Sequence, residues 1–302
     1  EDWIRAREAE LMPVPYFHVV FTLPDAVNRL CLFAPAKVYN ALFETAWSVM
    51  RSFARDASHL GAETGMIALL HTWGQNLSLH PHLHCIVPGG GVTAGGAWRT
   101  ARAKGRFLFP VKAMSLVFRA RMTAALRKAF PGENRTFFES LFKTPWVVFA
   151  KRPFAGPESV IAYLGRYTHK IAISNHRLVS VTDDQVTFHY KDYRNAGVKK
   201  HMSLPPMEFI RRFALHILPR GFVRIRHYGI LSSRRKALVI PQVVLQLTGR
   251  VMQLEKYKRR KAPARVCPCC KKALMQTILR FDHRGPPPIL KSVLIKSLRH
   301  VA

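Results

Sequence analysis

The chain has 302 residues, room for one large domain or two modest ones, and its 48% hydrophobic content supports a buried core, which excludes a generally disordered protein. Forty-eight Lys and Arg against 17 Asp and Glu leave a formal charge of +31, an excess that repels itself in a compact fold and calls for a polyanion, DNA or RNA ahead of an anionic membrane surface. No run approaches the roughly 18 uncharged apolar residues of a spanning helix, so no membrane partner is expected.

The start, Glu1-Asp2-Trp3-Ile4-Arg5, is neither a signal peptide nor an initiator methionine, and the sequence is expected to begin inside a longer protein. Residues 15–23, rich in aromatic and β-branched types, read as a strand ended by Pro24. Residues 35–57 open on a proline and carry Leu42, Ala46, Val49 and Phe53 at helical spacing. Strands follow at 66–73 and 82–88, the second ending at Gly89-Gly90-Gly91. A helix over 112–129 is expected to turn Leu116, Met122, Ala125 and Leu126 inward, with a strand at 146–150 and a helix at 157–172 after it. The order β-α-β-β-α-β matches a split βαβ unit, an α+β fold whose antiparallel sheet has helices on one face and an open face for a nucleic-acid strand. Two more strands are expected at 177–182 and 186–191, joined through Asp183-Asp184.

After residue 200 the chain becomes basic. A helix at 206–217 ends at Pro219-Arg220-Gly221, and Arg224, Arg226, His227, Arg234, Arg235 and Lys236 follow. A last helix, 241–257, runs into Lys258-Arg259-Arg260-Lys261. The expected division is a core domain, 1–205, and a basic C-terminal DNA-binding region, 206–302, and no internal repeat is present. Arg220, Arg224, Arg226, Arg234, Arg235, Lys258, Arg259, Arg260 and Lys261 are the candidate phosphate contacts. Phe222, Tyr228 and Tyr257 are able to stack on unpaired bases or to serve the core.

The densest chemistry lies in Leu79-His80-Pro81-His82-Leu83-His84-Cys85-Ile86-Val87. His82 and His84 alternate along a strand and leave the same face, the placement two imidazoles need to share a metal. His71, eleven residues before His82, can sit opposite them if the two strands pair. His80 is the alternative third ligand, although Pro81 argues against a regular ladder there. Imidazole favours zinc, iron or nickel, whereas phosphoryl chemistry usually employs magnesium or manganese. No acidic pair near the cluster offers the two-metal site of a water-activating nuclease.

Tyr163 and Tyr167 are one helical turn apart in Ile161-Ala162-Tyr163-Leu164-Gly165-Arg166-Tyr167-Thr168-His169-Lys170. Two aromatics at that spacing commonly pack a core. Here Arg166, His169 and Lys170 give them polar company, and Ile161, Leu164 and Ile171 supply a separate apolar side. A tyrosine attacking phosphorus forms a covalent phosphotyrosine and releases a strand end, so Tyr163, Tyr167, His82, His84, Arg166 and Lys170 are the candidate catalytic residues.

With those motifs in place the chain resembles the two-tyrosine rolling-circle transposases of the HUH (histidine-hydrophobic-histidine) superfamily, from bacterial insertion sequences. The resemblance runs through Val14–Pro24, His80–Gly91, Tyr163–Asn175, Tyr190-Lys191-Asp192-Tyr193, Leu218–Phe222 and Arg224–Gly229. It places the histidine motif on His82-Leu83-His84 and the tyrosine pair on Tyr163 and Tyr167, and its relaxase cousins support His71 as third ligand. It implies an HUH endonuclease fold and a transposase that nicks single-stranded or hairpin DNA at element ends. It further implies a 5′-phosphotyrosine, a free 3′-hydroxyl passed to target DNA, and Mg2+ or Mn2+ as cofactor. A bacterial cytoplasmic, nucleoid-associated location and a homo-oligomer follow from the same resemblance. Relatives usually carry a zinc ribbon ahead of the stretch that begins here at Trp3, and this sequence starts without one. A plasmid relaxase or replication initiator shares the chemistry; a noncatalytic DNA-binding protein on the same fold and an RNA-binding module are the readings outside it.

Five cysteines complete the inventory. Cys31 and Cys85 sit in apolar stretches and read as buried thiols of a reducing compartment. Cys267 and Cys270 form half of a zinc ribbon and are the candidate ligands of a structural Zn2+, completed by His283 or His300, with reduced thiols the alternative.

Overall fold

The computed structural model describes residues 10–102, 107–150, 159–160, 172–192, 195, 197–252, 265–267, 269–272 and 274–275. The chain divides into two compact units, residues 1–256 and 257–302. In the first, β1 (Tyr16–Thr22) leads through α1 (Asn28–Phe33) to α2 (Pro35–Arg55), then to β2 (Gly65–Trp73) and β3 (Leu79–Pro88). A small hairpin, β4 (Gly90–Val92) and β5 (Trp98–Thr100), precedes α3 (Val111–Ala129), α4 (Arg135–Ser140) and β6 (Val147–Ala150). Beyond lie β7 (Leu178–Val181), β8 (Val186–Asp192), β9 (Val198–Leu204), α5 (Pro206–Ala214), β10 (Ile225–Gly229) and α6 (Lys236–Thr248).

The central sheet has the order β10-β2-β3-β1-β6, and every pair in it is antiparallel. β3 lies between β1 and β2, which is the split βαβ arrangement expected from the element order. Strand alternation sorts the side chains. Phe17, Val19 and Phe21 of β1, Met66, Ala68 and Leu70 of β2, and Leu83, Cys85 and Val87 of β3 face one core. α2 closes that core with Leu42, Ala46, Val49 and Phe53, the stripe its sequence predicts, and α3 with Met114, Phe118, Met122 and Leu126. In α3 the expected Leu116 is 59% exposed; the stripe starts two residues earlier because the i, i+4 run from Met114 is the one that meets β1 and β6.

The opposite sheet face is not left bare along its whole length. Tyr16, Ile67 and Ile86 join Met12, Val14, Val160, Ile230, Leu231 and the α6 residues Val239, Ile240, Val243 and Val244 in a second core. α2 and α3 pack on the first face, as expected of this fold class, and α6 additionally covers one end of the second. It begins five residues before the expected 241, carries Pro241 inside, and stops at Gly249, whose φ of 69° is the left-handed close of a helix.

The expected boundary at 205/206 lies inside the first compact unit, residues 1–256. β10 pairs with β2 from Ile225↔Leu69 to Gly229↔Gly65, so this part of the basic segment is an edge strand of the main sheet. Gly229 has φ +58°, and a Cβ there would lie 2.1 Å from the Thr64 carbonyl oxygen; only glycine allows the strand to end that close. The strands expected at 177–182 and 186–191 are β7 and β8, and β9 completes a three-stranded antiparallel sheet. Its Phe188 and Leu204 pack with Ala172 and with Leu77 of the β2–β3 connection. Among the described residues no helix is long and apolar enough to cross a membrane. Of the second unit, β11 (Arg265–Val266) and β12 (Leu274–Met275) form a short hairpin.

Candidate active site

The β2–β3 pairing sets His71 directly across from His82, and β1 lies against the other edge of β3 with Thr22↔His82 and Val20↔His84. His71, His82 and His84 thus share one face, at the end of the sheet away from α6. The doubt over Pro81 is resolved by a bulge: the β2–β3 register shifts between His71 and Trp73. Pro81 falls in that irregular step, where no ladder N–H is required of it, and its carbonyl accepts from Leu23 N at 3.1 Å.

The ligand atoms of His71, His82 and His84 all lie within 4.8 Å of one another. The Nε2 atoms of His82 and His84 are 3.1 Å apart, close to the separation of two nitrogens held at a right angle about 2.1 Å from one ion. His82 donates from Nδ1 to the His80 carbonyl oxygen at 2.6 Å, which leaves its Nε2 lone pair toward the cluster. Burial holds His82 down to about 4 against an ordinary 6.5. His71 is held well below its usual value, first by burial, then by the charges of His82, Arg224 and His18. Both rings are therefore neutral at physiological pH, the form that ligates a metal. The donor set fits one divalent ion.

His80 takes another part. Its carbonyl orients His82, while its ring lies 4.0 Å from the Asp25 carboxylate. The converging set contains His71 in its place. A fourth histidine escaped the sequence reading. His18 of β1 is buried, its Nε2 is 2.8 Å from His84 Nδ1, and the two rings stack at 5.0 Å. One faint signal existed, since in strand 16–22 His18 has the parity opposite to Phe17, Val19 and Phe21. Trp73 stacks on His71 at 4.5 Å.

Tyr163, Tyr167, Arg166 and Lys170 lie outside the described residues, as do Lys258, Arg259, Arg260 and Lys261. The residues flanking the tyrosine segment are described: Val160 is buried with Tyr16, Ile67 and Ile86 on the histidine side of the sheet, and Ala172 is buried beside Leu77. The basic candidates separate. Arg220 and Arg234 are exposed. Arg224, half-buried, acts electrostatically on His71. Arg235 pairs with Glu63 at 2.5 Å. Arg226 lies 4.3 Å over the Phe43 ring and donates to Asn40, on the helix-covered side of β10. Cys267 and Cys270 fall in the turn of the β11–β12 hairpin. Cys31 and Cys85 are buried, and burial pushes the Cys31 thiol up to about 12.

Residues 65–237 match the family described as "Putative transposase". The chain belongs to this transposase family. The matched stretch runs from β2 through the three histidines and both tyrosines to the first residues of α6, and leaves His18 outside it. The chain is 44% identical over 314 residues to "Putative transposase y4qJ" of Sinorhizobium fredii (strain NBRC 101917 / NGR234), covering 95% of this chain and 79% of that protein. It is 27% identical over 253 residues to "Transposase for insertion sequence element IS801" of Pseudomonas savastanoi pv. phaseolicola, covering 80% of this chain and 60% of that one. No solved structure matches it.

Proposed function

We propose that this member of the transposase family nicks and rejoins single-stranded DNA at insertion-sequence ends through a 5′-phosphotyrosine on Tyr163 or Tyr167. The observation that carries the reading is the convergence of three imidazoles on one sheet face, two of them held neutral by burial. Val160 and Ala172, which bracket the tyrosine segment, support it by being buried against that face and against the β2–β3 connection.

In this reading His71, His82 and His84 would hold Mg2+ or Mn2+, which when bound would supply charge neutralisation at the scissile phosphate. The tyrosine Oη forms a bond to phosphorus and loses its proton to solvent. The bond from phosphorus to the 3′-oxygen breaks, and that oxygen gains a proton to become a 3′-hydroxyl. Rejoining runs the other way: a 3′-hydroxyl attacks, the P–Oη bond breaks, and the phenol recovers its proton. One phosphodiester is exchanged for another, so ATP is not required. Arg166 and Lys170 favour the phenolate, whose ordinary pKa near 10 otherwise makes it scarce at neutral pH. Two tyrosines permit two covalent ends in succession.

A single strand suits the surface beside the histidines. Phe149 of β6 is 48% exposed and pairs with Val20, which in turn pairs with His84. An unpaired base stacks on such a ring; a base inside a duplex cannot. The test is a comparison of H82A and H84A with the parent on a single-stranded oligonucleotide. Nicking is expected to fall by about 100-fold or more, the effect of removing electrostatic stabilisation of this kind, while affinity for the same oligonucleotide in chelator stays within a factor of about two. Parent-rate nicking by folded H82A/H84A rejects the metal-centre reading.

A further inference from the structure

A second cationic site lies on the three-stranded sheet. β8 and β9 pair so that His189 faces His201 and Lys191 faces Lys199. By strand alternation all four side chains leave one face, opposite the one on which Phe188 and Leu204 are buried. All four are exposed, and the two imidazole rings lie 4.4 Å apart. Lysines directly opposite each other on antiparallel strands repel. Among the described residues neither has an acidic partner, while the nearby Asp192 carboxylate is engaged by Lys200 and Asn195, each at 2.8 Å. Among the described residues nothing offsets this concentration of like charge, which an anion would.

Beside it is a cavity of about 400 Å³, whose lining includes His176, His189, Lys191, Lys199 and Gln75 and, among the described residues, no acid. That volume is in the range that houses a small ligand group. Arg177 forms part of the wall rather than a binding hand. It donates to the His189 carbonyl at 2.8 Å, to the Ala172 carbonyl at 3.5 Å and to the Gln75 carbonyl. These bonds join the three-stranded sheet to the β2–β3 connection four residues beyond His71, the same connection that positions the metal ligands.

We propose that this cavity and the Lys191–Lys199 pair bind a backbone phosphate of the DNA strand, away from the scissile one, and so fix how far the strand is advanced over the histidines. The inference rests on the proposed function for its substrate, but not for its measurement. The lysine pair supplies point charges for phosphate, and the exposed imidazoles and the Gln75 amide supply hydrogen bonds. Because the wall is tied to the β2–β3 connection, a phosphate held there is registered against the metal centre.

The experiment is a salt titration of binding to single-stranded oligonucleotide in chelator, with K191A/K199A compared against K112A/K128A on the helix α3. For single strands each neutralised phosphate contributes about 0.7 to the slope of log affinity against log salt. K191A/K199A is expected to lower the slope by about 0.7, and K112A/K128A to leave it unchanged. Mn2+ affinity of K191A/K199A at the histidines should equal the parent's. An unchanged slope in K191A/K199A overturns the proposal, as does an equal fall in K112A/K128A, which would reflect overall charge. If the slope falls as expected in a protein that never nicks DNA, the phosphate site stands and the enzymatic reading fails. On a cleavable strand, K191A/K199A should scatter the nick over neighbouring positions; a parent-like single position, even with the slope lowered, overturns the registering role.

Discussion

His18 should control metal affinity without being a metal ligand. Its Nε2 lies 2.8 Å from His84 Nδ1, and the rings stack with an interplanar angle of 21°. In the tautomer that ligates a metal, His84 carries its proton on Nδ1 and donates it to His18, so that its Nε2, 3.1 Å from His82 Nε2, keeps its lone pair. Without His18 the His84 ring gains a second tautomer and a freer χ2, and part of its population presents N–H where a lone pair is needed. Hydrogen bonds of this kind to ligating histidines are commonly worth about 10- to 100-fold in affinity, or roughly 1.4 to 3 kcal/mol at about 1.4 kcal/mol per tenfold. His18→Phe is the sharper variant, because it keeps an aromatic ring against His84 in a buried position and removes the polar contact. Mn2+ titration followed by electron paramagnetic resonance should show H18F weakened by that factor and H18A at least as much, with melting of H18F close to the parent. Wild-type Mn2+ affinity in folded H18F would refute the tautomer argument. A loss beyond about 1,000-fold would instead make His18 a ligand.

Two further expectations follow from the same cluster. The unfolded chain protonates His82 near 6.5, while the folded chain resists until about 4, so stability present above pH 6.5 is lost as the pH falls through that window. His82 alone should account for about 3 kcal/mol between pH 7.5 and 4, at about 1.4 kcal/mol per pKa unit; urea melts in chelator should show the parent losing that much more than H82Q, and parallel pH profiles would contradict it. For the third ligand, H71A should lower Mn2+ affinity far more than H80A, because His71 lies in the converging set while the His80 ring is turned toward Asp25; isothermal titration with the reverse order would reassign the site.

The sequence was most legible where period and topology agree. The alternation in β1, the proline-started stripe of α2 and the parity of His82 and His84 all stand as read, and together they dictate a split βαβ core. Legibility failed where long-range contact decides. Val198–Leu204 reads Val-Lys-Lys-His-Met-Ser-Leu, too polar for a strand signal, and becomes one because β8 offers its edge. Ile225–Gly229 lies among arginines and looks like part of a phosphate-binding tail, yet it pairs with β2 across a large gap in sequence. Arg226 then points under the sheet to Phe43, which no charge count anticipates. His18 is the clearest case in the site itself: a single histidine in an apolar strand ordinarily carries no message, and its partner His84 is 66 residues away. Pro81 shows the reverse error, a strand-breaking residue made harmless by a bulge.

The account stands or falls on a covalent bond between the protein and DNA. A 3′-labelled single-stranded element end, incubated with Mn2+ and the intact chain, should yield a labelled protein band on a denaturing gel. Peptide mass spectrometry should then find a nucleotide on Tyr163 or Tyr167. Y163F and Y167F should each retain some adduct or fail at rejoining, and Y163F/Y167F should form none. An adduct that persists in the double variant, or cleavage by the parent that never passes through one, would contradict the central claim and leave both tyrosines without a catalytic role.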